Sequence, residues 1–175
     1  RLLAEFDEGK VLGTAKSYDM ACLVLLYHSL SERDGASRPS ATHLRVVGRL
    51  VKWFEETQRD GVWGYPGGQV DISNTQYVLL ALEMASRMGV RAKPEVFKQA
   101  MEYLLREQER TGPMVTLYYF DERREFTRDE LEGYTGPTVQ ARGFNYRGGR
   151  KATGSITAGG VSSLAIIKSQ LSQQN

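Results

Sequence analysis

The sequence predicts an all-α protein, an α/α barrel or toroid of helical hairpins with apolar inner helices and amphipathic outer ones. Three observations carry this. Segments with almost no polar face, Met20 to Tyr27 and Tyr77 to Ala85, alternate with segments carrying a single apolar stripe. The stretch Gln58 to Glu83 (an aromatic turn, a polar bridge, then an apolar helix) has weaker copies on both sides, and helix-pair repeats of roughly 50 residues stack. The chain has 175 residues, enough for one domain with a core.

The elements follow in order. Residues 1–16, with Gly9 and Gly13, read as an approach segment. The run Met20 to Tyr27 is apolar all round, so a helix buried on every side is expected, ending before the loop Ser31 to Pro39. Ser40 or Thr42 can cap the second helix, whose stripe is Leu44, Val47, Leu50, Val51 and Phe54, and Asp60-Gly61 stops it. The third follows Asp71, with Ser73 or Asn74 as caps, and runs to about Met88 before Gly89. Pro94 opens the fourth, with Val96, Phe97, Ala100, Met101, Leu104 and Leu105 as its stripe. Residues 114–140 break the pattern and read as an insertion between repeats, with a β-hairpin over 114–127 that returns through Glu125-Phe126-Thr127. A last helix is expected from Thr157 to about Leu171, its first half made of small residues. The whole chain, 1–175, reads as a single domain or a segment of a larger one.

Composition excludes several classes. The 23 basic and 21 acidic residues leave a net charge of +2, too even for a general nucleic-acid surface. No apolar run reaches the ~18 residues of a membrane span. Cys22 is the single cysteine, so an internal disulfide is impossible and no compartment follows from cysteine usage. The chain opens on Arg1 rather than Met, as an excised or processed piece would.

The copies align with Ser17 laid on Asp71, and with Asn74 laid on Thr157. The second spacing is the longer of the two because it contains the insertion. The buried set would form an inner ring and the amphipathic set an outer one. A straight solenoid would leave the inner helices half exposed, which Leu79 to Ala85 do not favour.

These residues resemble a family. Phe54-xxx-Gln58-xx-Gly61-x-Trp63 is similar to the QW motif of squalene-hopene cyclases and related triterpene cyclases. Asp71-Ile72-Ser73-Asn74-Thr75-Gln76-Tyr77 with its Leu/Ala helix resembles the prenyltransferase and squalene-oxidase repeat. Gly143-Phe144-Asn145-Tyr146 with Gly154 to Val161 looks like a later copy, and Tyr103-xxxx-Gln108-xxx-Gly112 like a degraded one without tryptophan. The resemblance covers roughly residues 15–171 outside the insertion. It implies a terpenoid-cyclase-like, prenyltransferase-like toroid of about six helix pairs, so five helices make a partial ring closed by the remainder of a larger polypeptide or by a second copy. In the motif, the glutamine is expected to bond backbone groups of the following turn, and the tryptophan to lie over that turn and tie neighbouring repeats.

The resemblance places reactive groups near the N-terminal ends of inner helices, here Tyr18-Asp19, Asp71 to Gln76 and Ser155 to Thr157. A cyclase of this class protonates an alkene or epoxide with Asp-x-Asp-Asp. In the matching stretch only Asp71 is a carboxylate, and Ser73 and Asn74 stand where the other acids would be. Asp71 therefore reads better as a helix-start residue holding N–H groups than as the acid, and Asp19 has no carboxylate beside it. Asp71 and Asp19 are the two catalytic candidates. Zinc of the prenyltransferase kind is not expected. The family spacing is Asp-x-Cys, whereas this chain has Asp19-x-x-Cys22, and His28 falls on another helix face. No cofactor is implied. Trp63, Tyr65, Gln76, Tyr77, Phe144 and Tyr146 are the candidates for lining a pocket for an apolar or isoprenoid-like ligand. Arg147, Arg150 and Lys151, in a glycine-rich loop, are candidates for holding an anion. Gly149-xxxx-Gly154-Ser155 lacks the lysine of a P-loop.

The expectation is a toroid-type domain without the cyclase acid motif that binds or assembles rather than catalyses. The alternatives are a segment of an isoprenoid cyclase with its acid elsewhere, triterpene cyclase- or isomerase-like, and a sugar-handling α/α barrel using Asp19 and Asp71.

Overall fold

The computed structural model describes residues 16–33, 39–65, 71–117, 127, 129–130, 136–146 and 151–173. These form five helices and one two-stranded antiparallel sheet: α1 Ser17–Arg33, α2 Ala41–Thr57, α3 Ile72–Arg87, α4 Pro94–Glu107, β1 Met114–Thr116, β2 Thr138–Gln140 and α5 Gly154–Ser172.

Local chemistry sets the helix starts. Ser40 caps α2, its hydroxyl accepting from the His43 N–H at 3.2 Å. Asp71 caps α3, Oδ1 accepting from the Asn74 N–H at 3.0 Å. Pro94 opens α4, where its missing N–H costs nothing. Thr153 caps α5, accepting from the Ile156 N–H, so this helix begins at Gly154, ahead of the expected Thr157. Gly61 and Gly89 follow α2 and α3 with φ of +84° and +91°, the left-handed backbone that glycine adopts without strain.

The helices α1, α3 and α5 lie side by side in a row, with α3 in the middle. Outside the row, α2 packs against α1 and α3, and α4 packs against α5. One apolar core runs through all five, with Leu50, Phe54, Trp63, Leu79, Leu82, Phe97, Leu104, Phe144 and Ile167 all fully buried.

Three expectations are corrected. The run in α1 is not buried on every side. Met20, Ala21, Val24 and Tyr27 are buried, but Leu26 is 53% exposed, because among the described residues the row gives α1 a neighbour on one flank only. In α4, Leu105 faces solvent and leaves the stripe. The insertion's strand β1 pairs with β2, Val115 opposite Val139, rather than with residues 125–127. Thr127 is outside any strand, and residues 118–126 lie outside the described residues.

The repeat is real in the hydrogen bonding, with a register one residue from the expected one. The Trp63 N–H donates to Thr75 Oγ1 at 3.2 Å, and the Phe144 N–H donates to Thr157 Oγ1 at 3.0 Å. The Asp71 N–H donates to the Trp63 carbonyl as the Thr153 N–H does to the Phe144 carbonyl. The carbonyls of Lys16, Asp71 and Thr153 accept the first bond of α1, α3 and α5 from Met20, Thr75 and Thr157. Ser17 of α1 is therefore equivalent to Ile72 of α3, and Thr75 of α3 to Thr157 of α5.

Candidate binding face

The aromatic-turn motif works as a clasp. Trp63 is 1% exposed, and its Nε1–H donates to the Phe54 carbonyl at the end of α2, at 2.9 Å. Gln58 reaches past its own turn, Nε2 donating to the Val96 carbonyl in the first turn of α4 at 3.0 Å. This differs from the expected bond to the following turn, because the C-terminal end of α2 lies against the start of α4. In the second copy Gln108 donates to the Arg142 carbonyl at 3.1 Å, and buried Phe144 replaces the tryptophan. Trp63 and Phe144 are thus sealed in the core and present no surface to a ligand.

Asp71 is 3% exposed and caps α3, the helix-start role expected for it, while Ser73 and Asn74, the expected caps, lie inside the helix. Asn74, at the next acid position of the resembling motif, is also buried, and neither side-chain atom has a protein partner. Asp19 lies exposed on the first turn of α1. The two aspartates therefore differ in environment, one buried and one exposed.

The side of the row away from α2 is open. On α3 it carries Ser73, Gln76, Tyr77, Leu80 and Met84, all half-buried. Tyr77 meets Tyr18 of α1 with ring centroids 4.4 Å apart and planes inclined at 60°, the edge-on arrangement that aromatic quadrupoles favour. Gln76 donates weakly to Ser162 of α5 at 3.4 Å. Of the pocket candidates, Gln76 and Tyr77 come together here. Tyr65 and Tyr146 are each 44% exposed on their turns, and Lys151 is exposed. Arg147 and Arg150 lie outside the described residues. His28 pairs with Glu32 at 3.7 Å, and the His43 ring packs on Tyr27.

The Tyr18 phenol is pushed up to about 12. The largest cause is its hydrogen bond with Tyr77, followed by the charges that Tyr77 and Cys22 would carry. Unfolded, Tyr18 ionises near its ordinary 10.0. Between those values the unfolded chain has released a proton that the folded chain keeps. The associated stability is complete below pH 10 and declines as pH rises through about 12. In an ultraviolet titration of the folded protein, Tyr18 is expected to be among the late-ionising of the nine tyrosines, and Tyr77→Phe should move its step back towards 10. An unchanged titration in the variant would rule the contact out.

Two features had no sequence signal. On the outside, a cavity of about 580 Å³ opens where the turn after α2 meets α4, lined by Asp60, Gly61, Gln99, Glu102, Tyr103 and Arg106. Burial, and then the Glu107 carboxylate, raise the Tyr103 phenol, and the Arg106 guanidinium lies 5.2 Å from its ring centre. At the far end of the row, buried Glu83 of α3 accepts from Gln170 of α5 and pairs with Arg87 at 3.2 Å. Both sites join residues distant in sequence, with no spacing to announce them. Among the described residues no helix is long and apolar enough to cross a membrane.

Comparison with family models, with curated proteins and with solved structures returned no match.

Proposed function

We propose that this chain is a helical-repeat module of the α/α-toroid class whose work is binding and assembly. More particularly, it is a terpenoid-cyclase-like, prenyltransferase-like segment that holds an apolar, isoprenoid-like ligand on the open side of its helix row. One observation carries the reading. Asp71, the carboxylate at the position of the class's acid, is buried and engaged as the cap of α3. The open side beside it carries the Tyr18–Tyr77 pair with Leu25, Leu80 and Met84. Such a surface suits an apolar chain with π-electrons.

A second reading, a cyclase segment whose acid lies in other sequence, draws on the same aromatic pair, since aromatic faces stabilise carbocations. A sugar-handling barrel has less support. It needs two carboxylates facing one substrate at ~5–10 Å, and Asp71 is buried while Asp19 is exposed.

The test is titration with farnesol as the probe, followed by tyrosine fluorescence, alongside incubation with squalene. Saturable binding weakened about tenfold or more by Tyr77→Ala, with squalene returned unchanged, supports the module. Cyclised product that disappears in Asp71→Asn would overturn it, as would binding that ignores Tyr77→Ala.

A further inference from the structure

The repeat register tells which way each row helix faces. On α3, Gln76 bonds Ser162 and Glu83 bonds Gln170, both on α5. Gln76, Leu79 and Glu83 therefore form a forward stripe, at the three- and four-residue spacing of one helix face. Tyr77 meets Tyr18 of α1, so Asn74, Tyr77, Val78 and Ala81 form a backward stripe. The equivalents at both internal joints obey this. Of the forward residues of α1, Ala21 and Val24 are buried and His28 is half-buried, and Ile156, Gly159, Gly160 and Ser163, the backward stripe of α5, are all buried.

At the two ends of the row the same positions are less covered: Asp19, Leu26, Ala158, Val161 and Ala165 are exposed, while Cys22 and Leu23 are half-buried, Leu23 against the core. The backward stripe of α1 is Asp19, Cys22, Leu23 and Leu26, and Leu26, 53% exposed, is the equivalent of buried Ala81. The forward stripe of α5 is Ala158, Val161 and Ala165. Val161, 57% exposed, is the equivalent of buried Leu79, and exposed Ala165 is the equivalent of buried Glu83. The two end stripes also complement each other in size. At the α3–α5 joint, large Gln76 meets small Gly159, while the space at Gly160 is filled by Phe144 and Glu83 accepts from Gln170. Here small Ala158, Val161 and Ala165 would meet large Leu23 and Leu26. Facing positions that alternate large and small let helices interdigitate.

We propose that the forward stripe of α5 docks on the backward stripe of α1 in a second copy of this chain, continuing the row head to tail. The inference rests on the assembly half of the function proposed above. The occupant is a second copy because each chain carries one stripe of each kind, and a single type of contact continues the joint already made twice within the chain. Such a contact is heterologous, pairing two different patches rather than one patch with itself. Within the chain, forward Gln76 lies beside Gly159 and bonds Ser162, the equivalents of Tyr77 and Leu80, one and four positions further along. That register sets Val161 against Leu26 of the other copy.

Disulfide trapping tests this in a Cys22→Ser background, which removes the only cysteine. Chains carrying Leu26→Cys alone are mixed with chains carrying Val161→Cys alone and oxidised. Head-to-tail docking gives a covalent dimer in the mixture and none from either chain by itself. In sedimentation of the wild type, a species larger than the monomer at about 50 μM should shift to monomer in Leu26→Glu and in Val161→Glu, a weakening of at least about tenfold. Both side chains are exposed, so the circular dichroism of these variants should match the wild type. Cross-linking of a single variant with itself would overturn the proposal in favour of a two-fold patch. A wild-type monomer with no mixed cross-link would also overturn it, while leaving the farnesol test of the ligand-binding face unaffected.

Discussion

Trp63→Ala is expected to lower the stability of the folded chain by about 4 kcal/mol, the scale of emptying a buried aromatic site. For a domain stabilised by only ~5–15 kcal/mol that is a large share. The side chain sits in the core, and its Nε1–H satisfies the Phe54 carbonyl at the end of α2 while its own N–H is held by Thr75 in the first turn of α3. Removal therefore opens a void between two helices and takes from the Phe54 carbonyl one of its two donors, the Gln58 N–H remaining. Trp63→Phe should fare much better, losing about 1 kcal/mol for the bond and a part of the packing, because the second copy of the same turn already uses Phe144. Urea unfolding measures both. A loss below ~1 kcal/mol in the alanine variant would mean that the clasp is not a structural tie.

Gly61→Ala should be the second most damaging single change. Its φ of +84° already strains any residue with a Cβ, by roughly 1–2 kcal/mol. The new carbon would also stand 2.1 Å from the Gln99 carbonyl oxygen in α4, a backbone atom held in its helix. The turn would have to back away, and the bond from Gln58 to Val96 would go with it. Gly89→Ala is the matched control. Its φ is +91°, but nothing lies within 4 Å of the added carbon, so about 1 kcal/mol of backbone strain is all it should show. If the two variants unfold at the same denaturant concentration, the close approach to α4 is not what requires glycine at position 61.

What could be read without coordinates was what a segment carries within itself. The stripe of α2, the proline and stripe of α4, and the capping role of Asp71 depend on neighbours a turn or two away, and the sequence shows them. The deep burial of α3 was legible because its apolar residues run nearly all round, leaving the half-buried strip of Ser73, Gln76, Tyr77, Leu80 and Met84. The fate of α1 was not. Whether Leu26 is covered depends on how many helices flank it, which its own apolar run does not state. The partner of β1 was equally hidden, since pairing between segments so far apart in the chain is decided by where the strand ends are brought. The one-residue error in repeat register came from matching Ser17 and Asp71 by type, whereas the first backbone bond of each helix aligns Lys16 with Asp71. The outer cavity joins the turn after α2 to the helix after next, and nothing in Asp60, Gln99 or Glu102 announces it.

The base of the insertion behaves as a socket. Gln108 and Glu109 grip the returning strand at Arg142 and Gly143, and Glu109 also holds the Ala152 N–H. The turn around Phe144 is thereby assembled regardless of what lies between. For a connector whose ends are pinned in this way, doubling its length costs only ~0.6 kcal/mol in closure entropy. The junction pinned between Leu117 and Pro137 is consequently where spliced-in foreign sequence, such as an epitope or a reporter, is expected to leave the stability of the helices unchanged.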